Sequence, residues 1–379
     1  MGDFLQTAVF VDIEAVTRNM GVVRRLIGSD TKLMSVVKAD GYGLGIISMA
    51  KTTLSAGADW LGVATLSEGA SLRKAGIDAP VLVFCPVLSD YEREHIILGG
   101  LSTTVFNLEG ATKLSEMSVR LGKPAKIHIK VDTGLNRIGY ALGDMDRVAD
   151  EITVLAGLPG VELEGIYSHL ATSSTDPGFV GEQLALFNQI NQKLAGRGIF
   201  IPLRSISNSG AVLNHPECNL DMVRCGVLTY GLSPCSTPKG VARMESLGFV
   251  QAFSFKARVN NIKTIRAGES VGYGRNFFAS RETLVATISV GYADGLSRQL
   301  SNKGRVLING CFCDIIGNVC MDQSMVDATG VSVKIGDEVV IIGRSGSQRI
   351  LAEDIALTQD TINYEVATSL ALRAPRCYI

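Results

Sequence analysis

The sequence predicts an α/β chain: an N-terminal (β/α)8 barrel of the TIM type over residues 1–238, then a smaller, mostly β domain over residues 239–379. Three observations carry this. Eight short apolar runs recur along the first part of the chain, amphipathic segments of helical length separate most of them, and past Lys239 the alternation gives way to short strands punctuated by Gly and Asn.

The eight runs cover residues 32–37, 60–64, 81–84, 103–106, 126–131, 163–168, 203–206 and 222–229. No hairpin signal joins them, so parallel pairing through right-handed crossovers is expected. An open doubly wound sheet is the alternative arrangement. Segments 107–121 and 178–194 read as crossover helices, introduced by Asp, Asn or Ser. Residues 231–240 are rich in turn formers and mark the boundary. Beyond it, strands are expected over 249–265, 283–290, 304–307, 313–316, 324–327 and 338–342, and a helix over 351–371.

With 379 residues and 46% hydrophobic content the chain can bury a large core. A net charge of -1 without a basic block excludes general attraction to nucleic acid or anionic lipid. No apolar stretch is long enough to cross a bilayer and the N-terminus lacks signal-peptide order, so a cytoplasmic protein is expected. Most of the cysteines lie in apolar strands, and the close pair Cys311 and Cys313 has no neighbouring ligands, so no metal is expected.

In such a barrel the chemistry sits where strands end at the C-terminal face. Those ends carry Lys38; then Lys130, Asp132 and Arg137; then His169; then Asn208 and Ser209; and finally Arg224, Gly226 and Val227. Lys38 closes the apolar run 33–37, where desolvation disfavours the ammonium and leaves an amine able to attack a carbonyl or take a proton. Each residue alone has a plainer reading. Lys38 would be a solvated strand end, His169 a packed histidine, Asp132 a turn cap and Ser209 a helix start. Their convergence on one rim is what the plain readings leave unexplained. Ser209, Gly226 and the hydroxyl of Tyr42 suit a phosphate. A reactive lysine facing a phosphate cradle points to pyridoxal 5'-phosphate, and no Gly-x-Gly-x-x-Gly or P-loop argues for a nucleotide.

The segments VVKADGYG, KVDTGLNRIGY, YSHLATSS, SNSG, MVRCGVLTYG, VGYG, SVGYADGLSR, GNVCMDQSMVD and TINYEV, in this order, resemble the alanine racemase family over nearly the whole chain. The resemblance implies a pyridoxal-phosphate enzyme interconverting L- and D-alanine for D-alanine biosynthesis, built as a head-to-tail homodimer whose active sites are shared. It makes Lys38 the Schiff-base lysine and one base, with Tyr292 of the other subunit as the base on the opposite face. His169 and Arg224 would stabilise the tyrosine anion, and Arg224 would also face the pyridine nitrogen. Arg137 and the Met321 N–H would hold the substrate carboxylate, Lys130 would steady Arg137 as a carbamate, and Tyr273 would stand near the entrance. Phosphate contacts would come from Tyr42, Ser209, Gly226 and Val227, with Asn208 beside them.

The chain departs from the family pattern at Asp40, Gly41 and Leu44, where Asn, Ala and His are common, and at Leu372, where the family carries a tyrosine. Leu372 is therefore a specificity candidate, and the alternative expectation is a racemase that also accepts serine or other amino acids. A pyridoxal-phosphate carrier is disfavoured by the second domain. A decarboxylase is disfavoured because Cys320, Met321 and Asp322 match the racemase pattern better.

Overall fold

The computed structural model describes residues 6–379, which divide into two compact units. One contains residues 19–41 and 46–229, the other residues 6–18, 42–45 and 230–379.

The first unit is a nearly closed barrel of eight parallel strands, in the order Met222–Cys225, Lys32–Val36, Trp60–Val63, Val81–Val83, Ser102–Val105, Ala125–Asp132, Val161–Tyr167 and Leu203–Ser205. The first and last of these meet through the parallel bridge Asn208 to Arg224, with the Arg224 N–H on the Ser207 carbonyl at 3.1 Å. All eight expected strands are present. Met34, Trp60, Leu82, Tyr167, Leu203 and Met222 form a buried cluster, drawn from six different strands. Each such side chain stabilises the fold by roughly 1.5–3 kcal/mol. The crossover helices start where the local sequence says they should. Thr65 and Glu68 close a capping box, as do Ser89 and Glu92, and Asn107 and Asp176 cap by their side chains.

In the second unit the long strand Phe253–Ile265 is central. It pairs antiparallel with Glu338–Ser345, Thr283–Ile288 and Thr7–Val11, and the last of these pairs parallel with Arg376–Tyr378. The expected single cut at 238/239 therefore becomes an interleaved division, because Thr7–Val11 finds its hydrogen-bond partners more than 240 residues later in the chain, as at Thr7 opposite Ala257.

Three local expectations change. The run 222–229 is a strand only to Cys225, after which Val227–Tyr230 forms a 3-10 turn. Residues Pro238–Leu247 form a helix, which turn-rich composition concealed. Thr237 caps it, Pro238 sits in its first turn and Gly248 ends it in the left-handed conformation. The helix expected over 351–371 is two, Ala352–Thr358 and Asn363–Thr368, interrupted where Asp360 adopts positive φ.

Candidate functional site

The chain leaves the strand Lys32–Val36 into a left-handed turn. Ala39, Asp40, Gly41 and Tyr42 have φ of 51°, 54°, 63° and 56°. Three of these are not glycine, and each such residue costs roughly 1–2 kcal/mol. Strain of this kind persists only where the surroundings over-determine it. Glu68 supplies much of that constraint: one carboxylate oxygen accepts from the Ala39 N–H at 2.7 Å and the other from the Ala64 N–H at 2.7 Å, tying the turn to the end of the next strand. Asp40 holds the Ile46 N–H at 2.9 Å. Gly41 suits its place doubly, since a Cβ there would lie 2.9 Å from the Met49 side chain. The turn presents Lys38, half-buried, with its pKa lowered by desolvation first and by the charge of Arg137 second; Glu68 acts in the opposite sense. Glu68 is a functional neighbour that the sequence reading missed. Its signal was the capping box Thr65-Leu66-Ser67-Glu68.

Across the rim Arg224 is buried, with its guanidinium on the Ser205 hydroxyl at 2.5 Å, the Ser168 carbonyl at 2.6 Å and His169 Nδ1 at 3.3 Å. Arginine donates only, so Nδ1 of His169 accepts and its remaining proton sits on Nε2. Burial, then the charges of Arg224 and Arg137, hold His169 well below the usual imidazole pKa, which keeps it neutral. Desolvation brings Arg224 down to about 10, still a cation at neutral pH. Its guanidinium carbon lies 5.1 Å from the Tyr167 ring centre, and Lys130 Nζ lies 5.4 Å from the same ring.

Lys130 is buried, donates to the Val131 carbonyl at 2.7 Å, and is pushed down to about 7 by desolvation and then by Arg224. Asp132 shapes the loop that follows. Its carboxylate accepts from the N–H groups of Gly134, Asn136 and Arg137 at 2.9, 3.1 and 3.1 Å, so the expected turn cap is also what fixes the backbone of Arg137.

Ser209 and Gly226 are brought together, the Gly226 N–H donating to Ser209 Oγ at 3.0 Å, with Val227 next in the chain. Asn208 is occupied within the protein: its side chain caps Ala211 at 3.1 Å and donates to the Leu170 carbonyl at 3.3 Å. Tyr42 belongs to the second unit, where its ring lies 4.9 Å from that of Tyr230 and 6.4 Å from that of Tyr364. Burial raises Tyr364 to about 12, so its hydroxyl stays protonated and able to donate. Tyr364 is a second residue that went unassigned, although it stands in the quoted segment TINYEV.

The donor set of the barrel rim fits pyridoxal phosphate. It offers a lysine amine of lowered pKa, a buried arginine cation and a serine hydroxyl against a backbone N–H. Among the described residues there is no group of three or more His, Cys, Asp or Glu that could hold a metal.

The remaining expected residues, Tyr273, Tyr292, Met321 and Leu372, lie in the second unit, and its loops gather them. The N–H groups of Tyr292 and Ala293 donate to the Cys320 and Met321 carbonyls, both at 3.0 Å. The Asn318 side chain donates to the Tyr273 carbonyl at 2.7 Å. Arg373, next to Leu372, bridges Asp294 at 2.8 Å and Asp322 at 2.7 Å, joining the loops of Tyr292 and Met321. All four side chains are exposed: Tyr273 75%, Tyr292 44%, Met321 53% and Leu372 80%. An exposed cluster of large apolar and aromatic side chains marks a surface built to meet something.

Two family models match the chain: "Alanine racemase, N-terminal domain" over residues 11–234 and "Alanine racemase, C-terminal domain" over residues 252–378. Among curated proteins, alanine racemase 2 of Caldanaerobacter subterraneus subsp. tengcongensis is 41% identical, over 98% of this chain and 95% of its own length. The alanine racemase of Clostridium perfringens is 39% identical, over 97% and 94%. Among solved structures, alanine racemase of Clostridium difficile 630 superposes with a TM-score of 0.92 at 32% identity, over 99% of this chain and 96% of that one. The Bacillus anthracis alanine racemase with bound L-Ala-P gives 0.90 at 32% identity, over 100% and 96%.

Proposed function

This chain belongs to the alanine racemase family, and from that premise we propose that it interconverts L- and D-alanine with pyridoxal phosphate, using one base on each face of the substrate Cα. The observation that carries the reading is Lys38, an amine of lowered pKa held by a strained turn at the C-terminal rim of the barrel. When bound, pyridoxal phosphate supplies the electron withdrawal that acidifies the substrate Cα–H.

Lys38 would bind the cofactor and move a proton on one face. Arg224 would meet the pyridine nitrogen as a cation that does not give up its proton at neutral pH. Ser209, Gly226 and Val227 would hold the phosphate. Arg137 and the Met321 N–H would orient the carboxylate by charge-assisted hydrogen bonds. Retention follows when a planar carbanion is reprotonated from the side that was deprotonated, so inversion needs a second base.

The sequence reading gave that second role to Tyr292 and the entrance to Tyr273. A side chain that serves another subunit must project from its own, and both do: Tyr292 is 44% exposed and Tyr273, on the turn after the short strand Ser270–Val271, 75%. His169 Nε2–H, backed by Arg224, would stabilise the phenolate. Supplying Tyr273, Tyr292 and Met321 in trans calls for a homodimer, which their joint exposure supports. Leu372 lies on the same surface with its side chain largely in solvent, while the buried tyrosine beside Tyr42 is Tyr364. A loss of phosphate contact at position 372 therefore has no support, and nothing favours a serine racemase. No described helix is long and apolar enough to cross a membrane. The free cysteines are consistent with a reducing cytoplasm.

Incubation of the purified protein with each L-amino acid in deuterium oxide, scoring α-deuteration and enantiomer ratio together, tests the reading. Alanine is expected to become deuterated and racemic. Release of carbon dioxide, or no α-exchange with any amino acid, would reject it.

Lys130 yields a separate expectation. An amine titrating at about 7 is largely neutral above that pH, the form that adds carbon dioxide to give a carbamate and a proton. Native intact-mass measurement in bicarbonate at pH 8 should show one added carbon dioxide, lost in Lys130→Ala and on acidification. An unmodified mass would leave Lys130 as a buried amine.

A further inference from the structure

We propose that Gln183, on the helix Pro177–Gly196 that follows the strand Val161–Tyr167, is a positioning residue that sets the spacing between the Arg137 loop and the His169–Arg224 pair. The inference rests on the alanine racemase reading above and adds a residue remote from the reacting atoms.

Gln183 is completely buried and all of its amide is engaged. Its Oε1 accepts from the Ala171 N–H at 2.9 Å, and its Nε2 donates to the His169 carbonyl at 3.1 Å and to Thr133 Oγ1 at 3.1 Å. Thr133 Oγ1 continues to Ser168 Oγ at 2.8 Å, and the Ser168 carbonyl receives the Arg224 guanidinium at 2.6 Å. One side chain thus joins the backbone on both sides of Leu170 to the first residue of the loop that Asp132 folds around Arg137. Phe179, one helical turn earlier, closes over the same loop, for a Cβ on Gly134 would come within 2.8 Å of its ring.

The chemistry of the site selects a glutamine. Two donors and one acceptor are needed at a fixed reach; glutamate lacks the donors, lysine the acceptor and asparagine the length. An apolar side chain would leave the Ala171 N–H without its buried partner. Because Gln183 contacts the carbonyl of His169 and not its ring, it acts on the imidazole through the backbone. Because it contacts Thr133, the same displacement reaches Arg137. The two groups that would orient the carboxylate and stabilise the opposite-face base are therefore held in register by one amide.

Gln183→Glu provides the test. At pH 9 the ionised carboxylate turns an oxygen toward the His169 carbonyl, and kcat for alanine should fall about tenfold to hundredfold, the scale of a misplacement near 1 Å. Burial raises the pKa of such a carboxyl, so protonation as the pH drops toward 6 restores one donor. The ratio of variant to wild-type kcat should then climb as pH falls, with cofactor absorbance and melting temperature close to wild type. A merely structural role would give a ratio independent of pH. Thr133→Val serves if the glutamate variant does not fold: it frees the Arg137 loop but leaves the bond to His169, so the KM for alanine should rise several-fold with a smaller change in kcat. Wild-type kcat in a folded Gln183→Glu holoenzyme, a loss that does not vary with pH, or an unchanged KM in Thr133→Val would each overturn the role of Gln183 alone. Absence of α-exchange in the wild-type protein would instead overturn the racemase reading and this inference with it.

Discussion

Lys38→Ala is expected to abolish racemisation, lowering turnover by at least ~10³-fold, the effect of losing a covalent anchor and a general base together. The variant should still fold. Lys38 is half-buried and the left-handed turn that presents it is held by Glu68 and Asp40, neither of which touches the lysine side chain through the bonds described. Removing a partly desolvated amine also removes an unfavourable burial. The measurement is twofold: the visible absorption of bound cofactor and α-deuteration of alanine in deuterium oxide. Retained racemisation, or an unchanged absorption spectrum, would show that another amine carries the chemistry. Lys130 would be the one to examine, because its pKa is also depressed and it lies on the same barrel.

The second large effect separates two tyrosines. With Tyr292 as the opposite-face base, Tyr292→Phe should lower inversion by ~10²–10⁴-fold, the usual contribution of a positioned base. It should also create an asymmetry. Lys38 remains able to remove and return a proton on its own face, so one enantiomer of alanine should exchange its α-hydrogen with solvent and keep its configuration, while the other neither exchanges nor inverts. Tyr273→Phe should retain inversion of both enantiomers, with its effect mainly on KM. The same asymmetry appearing in Tyr273→Phe, with Tyr292→Phe inverting normally, would move the role to Tyr273.

The eight barrel strands were legible because a buried parallel strand leaves a local trace, a short apolar run between amphipathic helices, and each trace can be read without knowing its neighbours. The rim residues were legible for the same reason. Lys38, Lys130, His169, Ser209 and Arg224 all fall just inside or just beyond such runs, where a barrel places its chemistry. Thr7–Val11 was not assigned, since pairing with Phe253–Ile265 and Arg376–Tyr378 is a matter of long-range register that no window of sequence contains. The helix Pro238–Leu247 was hidden by the Pro and Gly residues that delimit it, which look like turn formers until the cap geometry is seen.

What the sequence by itself determined is which polar side chains stand at the ends of the barrel strands, because that depends on residue type and local periodicity. Only the tertiary structure decided how those groups are tuned. The depressed amine of Lys38 depends on burial and on Arg137; the neutral tautomer of His169 depends on Arg224 at 3.3 Å; the burial of Gln183 depends on two loops closing over a helix whose sequence allows a glutamine to face water. Desolvation and hydrogen-bond geometry belong to the space between elements, and residues far apart in the chain define that space together.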